Sequence, residues 1–398
     1  MGVLLGLAAA TLGMWVVLLA GRALFWWPAP QLGTGEGENG GTPGVVAVIP
    51  ARDEADVLPE TLPSVLTQEY AGSLYAIVVD DRSGDATATA AREAAIAASE
   101  GGRLTILRGT PRPDGWAGKL WALEQGVRHA ADSAEGRSTG DARSDYLWFT
   151  DADIAHERWV LSALVARAEA NRLDLVSVMA TLRVDSFWDR LLIPAFVYFF
   201  AKLYPFRSVG DPRRRTAGAA GGCVLVRRRA LDEAGGLAAI CSALIDDCAL
   251  GKLIKGSGGR IWLGYSRGVR SIRSYGRLAD IWRMVARSAY TQLGHSPIAL
   301  LGTVLGMLLL YALPPVLSIV GAIAAALGGA AVLPSAAVGA GAWALMAASF
   351  VPLLRHHGVG PWVAPLLPVA GVLYTAMTLS SAWRHARGRG GAWKGRTY

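Results

Sequence analysis

The sequence predicts an α/β domain with a doubly wound, mainly parallel sheet, flanked by one N-terminal and two to three C-terminal transmembrane helices. Between residues 45 and 150, short β-branched runs alternate with segments of helical spacing, which is typical of a parallel sheet. Two of these runs end in paired aspartates, and both ends of the chain contain long uncharged segments. Hydrophobic residues make up 52% of the 398 residues, a high share for a soluble protein.

The charge balance favours a membrane surface over nucleic acid as a partner. The formal net charge is +8, but the sequence has neither zinc-finger spacing nor an arginine-rich tract. The three cysteines, Cys223, Cys241 and Cys248, follow no metal or disulfide spacing and are typical of a reducing compartment. We therefore expect no nucleic-acid partner and a cytoplasmic central domain.

Residues 1–27 are predicted to form an uncleaved transmembrane anchor. The first 20 residues carry no charge and are long enough to cross the hydrocarbon layer. A cleaved signal peptide is the alternative, but its basic n-region is missing, and the apolar run continues after Arg22 to Trp26 and Trp27. These two tryptophans would lie at the membrane interface.

Residues 298–381 are predicted to form the C-terminal transmembrane helices, followed by a basic tail at 382–398. This region contains three uncharged apolar runs, each long enough to be considered as a span. The third run, 362–379, contains Pro365 and Pro368. It therefore either spans the membrane or forms a re-entrant or interfacial segment.

Basic flanks predict the orientation in the membrane. Arg22 follows the anchor, and Arg277, Arg283 and Arg287 precede the first C-terminal run. Because basic residues collect on the cytoplasmic side, the central domain is expected there, within a multi-pass protein. Three full C-terminal crossings would export the basic tail, so either the third run does not cross or the tail breaks the rule.

Residues 45–297 are predicted to form the sheet domain, after a Gly-rich linker at 28–44. The periodicity predicts strands at 45–49, 74–79, 104–107 and 146–149, and helices at 56–68, 86–99 and 120–130. Ligands of such sheets bind at the carboxyl ends of the strands. The paired aspartates fall at those ends, which predicts a binding site there.

Asp151 and Asp153 are the predicted metal ligands. They form an Asp-x-Asp step after the fourth strand, and Asp80 and Asp81 follow the second strand. Mg²⁺ or Mn²⁺ is commonly held by one or two carboxylates together with the phosphates of a substrate. An isolated Asp-x-Asp step more often caps a helix. The other acidic clusters in register with this one favour a divalent-cation site here.

Asp246 and Asp247 open a further predicted helix and are the catalytic candidates. Adjacent carboxylates repel each other, which raises the pKa of one of them and suits it to act as a base. Asp247 is the candidate for deprotonating an acceptor hydroxyl. The alternative is an acidic first turn that the helix dipole favours.

Two loops are candidates for binding the donor or the acceptor. In the first, Lys119 is a candidate phosphate ligand and Trp116 a candidate stacking partner for a sugar or base, although a solvated lysine fits the pattern equally well. In the second, Gly221 and Gly222 allow a ligand to approach the backbone closely. The second loop lacks the lysine of a nucleotide-binding P-loop.

Four motifs resemble those of the inverting glycosyltransferase family 2, which has the GT-A fold. They are Val48-Ile49-Pro50-Ala51-Arg52-Asp53-Glu54, Val79-Asp80-Asp81-Arg82-Ser83-Gly84-Asp85, Thr150-Asp151-Ala152-Asp153 and Asp246-Asp247. The resemblance covers about residues 45–297. Within the family, the Gly-Trp-x-Gly-Lys loop and the terminal spans are similar to ceramide glucosyltransferase and, more closely, to bacterial hopanoid-associated glycosyltransferases.

The resemblance implies a nucleotide-sugar donor, a divalent cation and a membrane lipid acceptor, with the protein in a bacterial inner membrane. The residues that it implies for nucleotide-sugar binding are Pro50, Arg52, Glu54, Asp80, Asp81, Lys119 and Asp151. It implies that Asp153, with Asp151, binds the metal and that Asp247 is the base. Gln292 and His295 are possible acceptor or donor contacts, but their segment lacks the Arg-Trp pair of polymerising members.

The apolar segment 187–206 is predicted to be an interfacial helix beside a lipid acceptor, or else a buried core helix. The predicted function is inverting, non-processive transfer of a sugar to a lipid, with a hopanoid as the acceptor that the resemblance suggests. A processive polysaccharide synthase and a non-catalytic scaffold are the alternatives. The missing Arg-Trp pair counts against the first, and the intact acidic clusters count against the second.

Overall fold

The computed structural model describes residues 2–34, 42–136, 144–388 and 390, with the backbone alone for 133–136. Parts of the predicted linker and of the predicted basic tail lie outside the described residues.

Two compact units make up the chain. The sheet unit comprises Ala29–Arg183 and Phe206–Arg273, and the helical unit comprises Met1–Pro28, Val184–Pro205 and Ser274–Tyr398. Two segments of the predicted 45–297 domain therefore belong to the helical unit.

The sheet unit contains a mixed, mostly parallel sheet, as predicted. Its described strands are β1 (Val45–Ala51), β2 (Leu74–Asp80), β3 (Leu104–Arg108), β4 (Tyr146–Thr150), β5 (Ile154–His156), β6 (Leu175–Thr181), β7 (Cys223–Arg227) and β8 (Ile261–Ser271). Their order across the sheet is β3-β2-β1-β4-β7-β6-β8-β5. β7 is antiparallel to both β4 and β6, and β5 is antiparallel to β8, whereas the other pairings are parallel.

Helices cover both faces of this sheet. The helices of the sheet unit are α2 (Leu58–Leu66), α3 (Thr87–Ala97), α4 (Gly118–Gly136), α5 (Val160–Asn171), α7 (Phe206–Gly210), α8 (Arg228–Glu233) and α9 (Asp246–Gly256). Alternate β1 side chains, such as Ala47 and Ile49, are buried in a core shared with α2, α3 and α5. Val48 points to the other face, where a Cβ at Gly126 of α4 would lie 2.4 Å from its Cγ1. Only glycine lets α4 pack this closely, and the sheet is doubly wound as predicted.

The helical unit is built from apolar helices. They are α1 (Gly2–Gly21), α6 (Phe187–Leu203), α10 (Leu278–Gln292), α11 (Pro297–Met307), α12 (Leu313–Ala326), α13 (Leu333–His356) and α14 (Leu367–Ala386). Four segments of the described chain are long and apolar enough to cross a membrane: Gly2–Gly21, Pro297–Ala326, Ala330–His356 and Pro361–Ala386. The second segment joins α11 and α12 through a π-helical turn, Leu308–Ala312.

Helix α6 is buried within the helical unit. A capping box starts it, with the Asp189 amide donating to Ser186 Oγ at 3.1 Å. Tyr198 then shares a 2.7 Å hydrogen bond with Ser349 of α13, and Tyr374 of α14 donates to the Leu192 carbonyl at 2.9 Å. This position corresponds to the core-helix alternative rather than to an interfacial helix.

Helix α14 runs antiparallel to α11. Gly371, near its start, packs against Tyr311. Near its end, Ser381 Oγ accepts a hydrogen bond from the Tyr290 amide at 3.1 Å, and His385 stacks at 4.1 Å on His295, which lies just before α11. The end of α14 therefore lies beside the start of α11.

Helix α13 runs antiparallel to α12, so it too ends on the side where α11 begins. A Cβ on Gly321 would lie 2.7 Å from Cβ of Ala336, and Gly339 contacts the backbone of Pro314. Because α13 and α14 end on the same side, the connecting residues 357–366 must return along α13. The 3.0 Å hydrogen bond from Trp343 Nε1 to the Pro365 carbonyl marks that return.

Candidate active site

Two loops at the carboxyl ends of β1 and β2 are bonded to each other. The Asp53 amide donates to Ser83 Oγ at 3.0 Å, and the Gly84 amide donates to Asp53 Oδ1 at 2.7 Å. Asp53 and Arg82 both adopt left-handed backbone conformations, with φ of 51° and 59°. The two loops therefore form one structural unit.

Arg52 and Asp81 lie at the base of these loops. Arg52 Nη1 donates to the Asp81 carbonyl at 2.8 Å and lies 3.7 Å from the carboxylate Oδ2 of the same residue. The Asp81 side chain is fully buried. Asp80 differs, because its Oδ1 accepts the Ser83 amide at 2.9 Å and so stabilises the turn itself. Both aspartates lie where the nucleotide-binding prediction needs them, and their role stays a prediction.

Lys119 lies between two of the acidic clusters. It is the second residue of α4, and its Nζ is 2.7 Å from Asp151 Oδ1 and 3.1 Å from Asp246 Oδ2. Burial disfavours the charge on Lys119, but the two carboxylates outweigh burial and raise its pKa. Burial also raises the pKa of Asp151, against the opposing effect of Lys119. Lys119 is thus an ion-pair partner at this site rather than a solvated side chain.

Asp247 is held by two backbone amides at the start of α9. Its Oδ2 accepts the Gly221 amide at 2.8 Å, and its Oδ1 accepts the Cys248 amide at 2.7 Å. Burial and the neighbouring Asp246 carboxylate raise the pKa of Asp247 to about 6, although Lys119 and the two amides act in the opposite direction. A fixed carboxylate with a pKa near neutrality is suited to accept a proton.

Gly221 brings the backbone into this cluster. A Cβ at this position would lie 3.1 Å from Lys119 Nζ and 3.3 Å from Asp247 Oδ2. The backbone at Gly221 therefore lies against side chains of the protein, and its predicted approach to a ligand stays a prediction. Gly222 lies next to it, and its carbonyl accepts a 3.0 Å hydrogen bond from Thr150 Oγ1.

A pocket opens at this cluster. Its lining residues are Pro50, Lys119, Leu120, Leu123, Phe149, Thr150, Asp151, Gly221, Val224, Leu237, Asp246, Asp247 and Leu250. Residues from β1, β4, α4, β7 and α9 thus meet at one point, which the sequence predicted only in part.

Asp153 is paired with an arginine that the sequence analysis missed. Arg273 Nε lies 3.1 Å from Asp153 Oδ2, and Arg273 Nη2 lies 2.6 Å from Glu54 Oε2. Ser271 Oγ also donates to Asp153 Oδ2, at 3.2 Å. Ser271 is the last residue of β8 and Arg273 follows that strand, so both lie at the edge of the sheet that carries Asp153.

The donor set at this edge fits a hard divalent cation only if a substrate completes it. Asp151 and Asp153 offer carboxylate oxygens, but each shares one oxygen with a basic side chain. Within the described residues, no group of three or more His, Cys, Asp or Glu side chains is arranged to hold a metal ion. Asp151 and Asp153 would therefore hold a divalent cation together with the phosphates of a substrate.

The remaining candidates lie elsewhere. Trp116 packs edge-to-face on Trp121 with ring centroids 5.2 Å apart, so its ring is partly engaged. Gln292 and His295 belong to the helical unit, where Gln292 Nε2 donates to Tyr204 Oη at 2.7 Å and His295 stacks on His385. Their predicted roles stay predictions.

The comparisons with known proteins concern the family and the fold. Residues 46–235 match the model of the family "Glycosyl transferase family 2". The match covers just under half of the 398-residue chain. The match identifies the protein as a glycosyltransferase.

Solved structures add a likeness of fold. The mannosyltransferase PcManGT from Pyrobaculum calidifontis, solved with GDP-Man and Mn²⁺, is 20% identical with a TM-score of 0.55, covering 96% of this chain and 99% of its own. Glucosyl-3-phosphoglycerate synthase from Mycobacterium tuberculosis is 19% identical over 71% of this chain and 83% of its own, with a TM-score of only 0.38. A comparison with curated proteins returned no match. The family 2 domain therefore has a GT-A-like fold.

Proposed function

We propose that this protein transfers a sugar from a nucleotide-sugar donor to a hydroxyl of a membrane lipid, with inversion at the anomeric carbon. The observation that carries the proposal is the Asp247 carboxylate, fixed by the Gly221 and Cys248 amides in a pocket that also contains Lys119 and Asp151. The GDP-Man and Mn²⁺ bound by PcManGT support the donor class and the divalent cation.

Asp247 acts as the general base in this mechanism. It accepts the proton of the acceptor hydroxyl while the hydroxyl oxygen bonds to the anomeric carbon and the bond to the diphosphate breaks. One displacement from the opposite face inverts that carbon. Asp247 ends protonated, and the nucleoside diphosphate leaves with the electron pair.

Basic side chains balance the charge of the leaving group. Lys119 lies beside Asp151, and Arg273 beside Asp153, so both are placed to contact a diphosphate at the carboxyl edge of the sheet. A divalent cation held by Asp151 and Asp153 would supply further charge neutralisation. Arg52 and Asp81 would form the wall of the nucleotide pocket.

The helical unit supports a membrane lipid as the acceptor class. Its four long apolar segments are suited to a bilayer, and the resemblance to hopanoid-associated enzymes suggests an isoprenoid lipid alcohol. Arg22 directly after α1 favours a cytoplasmic sheet unit, in a bacterial inner membrane.

The test uses the full chain in membranes with a panel of UDP- and GDP-sugars, bacterial lipid extract, and Mn²⁺ or EDTA. We expect one donor to give a new glycolipid, and Asp247→Asn to lower kcat about 10²- to 10⁴-fold because the base is lost. Asp232→Asn is the matched control, because Asp232 is an exposed residue of α8 in the same unit. Turnover that is unchanged in Asp247→Asn would exclude this residue as the base, and turnover unaffected by EDTA would exclude the cation.

A further inference from the structure

Two basic side chains meet in the helical unit beside the end of α1. Arg22 Nε donates to the backbone carbonyl of Lys202 at 2.6 Å. Lys202 Nζ donates to Tyr311 Oη at 3.0 Å and lies 4.7 Å from the centre of the Tyr311 ring. Arg22 is exposed and Lys202 is partly exposed, so both remain open to a ligand.

Among the described residues, these two cations have no acidic counterpart. Within the part of the chain that the structure describes, neither Arg22 nor Lys202 lies within ion-pair distance of a carboxylate. Burial and the nearby Arg22 lower the pKa of Lys202 to about 8. Holding two like charges together in apolar surroundings is unfavourable unless an anion joins them.

Neighbouring aromatic residues indicate that Arg22 and Lys202 lie at the level of the lipid headgroups. Trp26 and Trp27 lie four and five residues after Arg22, and Trp27 is 49% exposed. Tryptophans of this kind favour the boundary between headgroups and hydrocarbon. Phe199, one helical turn before Lys202, adds apolar surface next to the ammonium group.

We propose that Lys202 and Arg22 form a binding site for the phosphate group of a membrane lipid. The ammonium and guanidinium groups would each donate charge-assisted hydrogen bonds to the phosphate oxygens, and Tyr311 would orient the ammonium. The lipid chains would then lie along the exposed apolar surface of the helical unit. This site requires only that the helical unit lies in a membrane, and it does not depend on the proposed transfer reaction.

The test measures lipid retention by the purified full chain. The protein is exchanged into a mixture of phosphatidylcholine and phosphatidylglycerol, and native mass spectrometry counts the molecules of each lipid that stay bound. We expect wild type to retain phosphatidylglycerol preferentially. Lys202→Gln and Arg22→Gln should each lower that preference about fivefold, the effect of one basic residue at a lipid surface. Arg190→Gln, an exposed arginine at the other end of α6, should leave it unchanged.

Arg22→Gln keeps the proposal testable if Lys202→Gln fails to fold, because Arg22 is exposed. Equal retention of both lipids by wild type would overturn the proposal, as would an equal loss in Arg190→Gln. Displacement of phosphatidylglycerol by inorganic phosphate would assign the site to a free anion instead and overturn the lipid assignment. Asp247→Asn should retain the preference, which separates this site from the proposed catalysis.

Discussion

Lys119 controls the charge of the carboxylates around it. It bonds to Asp151 and Asp246, and its positive charge lowers the pKa of Asp247, whereas the Asp246 carboxylate raises it. The two neighbours of the proposed base therefore act on its pKa in opposite directions. This opposition gives a pair of substitutions with opposite expected effects.

The acid limb of the pH–rate profile should move in opposite directions in these two variants. The proposed mechanism requires the deprotonated Asp247, so kcat of the wild type should fall as the pH drops below about 6. Lys119→Gln removes the positive charge, raises the pKa of Asp247 and moves the limb to higher pH. Asp246→Asn removes the negative charge and moves the limb to lower pH. The measurement is log kcat against pH at saturating donor.

Asp232→Asn is again the control, and its limb should coincide with that of the wild type. A shift of both limbs in the same direction would contradict the assignment of Asp247 as the titrating base.

At the scale of elements, the position of α9 depends on a glycine contact. A Cβ at Gly251 would lie 2.8 Å from the carbonyl carbon of Gly218, so helix and loop touch backbone to backbone. Asp246 and Asp247 form the first turn of this helix. Any displacement of α9 therefore moves both carboxylates.

Gly251→Ala should lower both stability and activity. The added methyl group forces α9 away from Gly218, and overpacking of this kind costs about 1–3 kcal/mol. Gly256→Ala, in the last turn of the same helix, meets no atom within 4 Å and should be neutral or slightly stabilising. Thermal unfolding midpoints and kcat of the two variants check this. Equal midpoints would show that α9 tolerates the methyl group.

The strands and their acidic ends could be predicted from the sequence because both signals are local. The β-branched run at 45–49 and the aspartates at 80–81 and 151–153 are read within a few residues. The pairing of Arg273 with Asp153 and Glu54 could not be predicted, because these residues are far apart in the sequence and no local pattern shows that the segment after β8 lies beside them. The position of α6 could not be predicted either, because its composition suits both a membrane surface and a buried core. Its packing against α13 and α14 decides between the two.

At the scale of the whole molecule, the direction of α14 decides on which side of the helical unit Arg387 lies. Apolar length predicted a possible third C-terminal span, but length alone says nothing about direction. Since α13 and α14 end on the same side of the helical unit, we infer that Pro361–Ala386 enters and leaves the membrane from one face. The described basic residues Arg384 and Arg387 then lie on the side of Arg277, Arg283 and Arg287, in agreement with the positive-inside tendency.

Cysteine labelling in intact cells tests this topology. In a Cys241→Ser background, Ala330→Cys lies at the start of the third candidate span, and Arg387→Cys follows α14. A membrane-impermeant maleimide should label Ala330→Cys from outside and should label Arg387→Cys only after permeabilisation. External labelling at both positions would mean that α14 completes a fourth crossing.

The bonded loops after β1 and β2 have a consequence for engineering. Four hydrogen bonds run between them, from the amides of Asp53, Glu54, Ala55 and Gly84. A graft that replaces one loop with that of a related enzyme would disturb all four and could leave the buried Glu54 amide without its acceptor. If the proposed nucleotide-binding role holds, exchanging donor preference in this scaffold would require transplanting both loops as a matched pair.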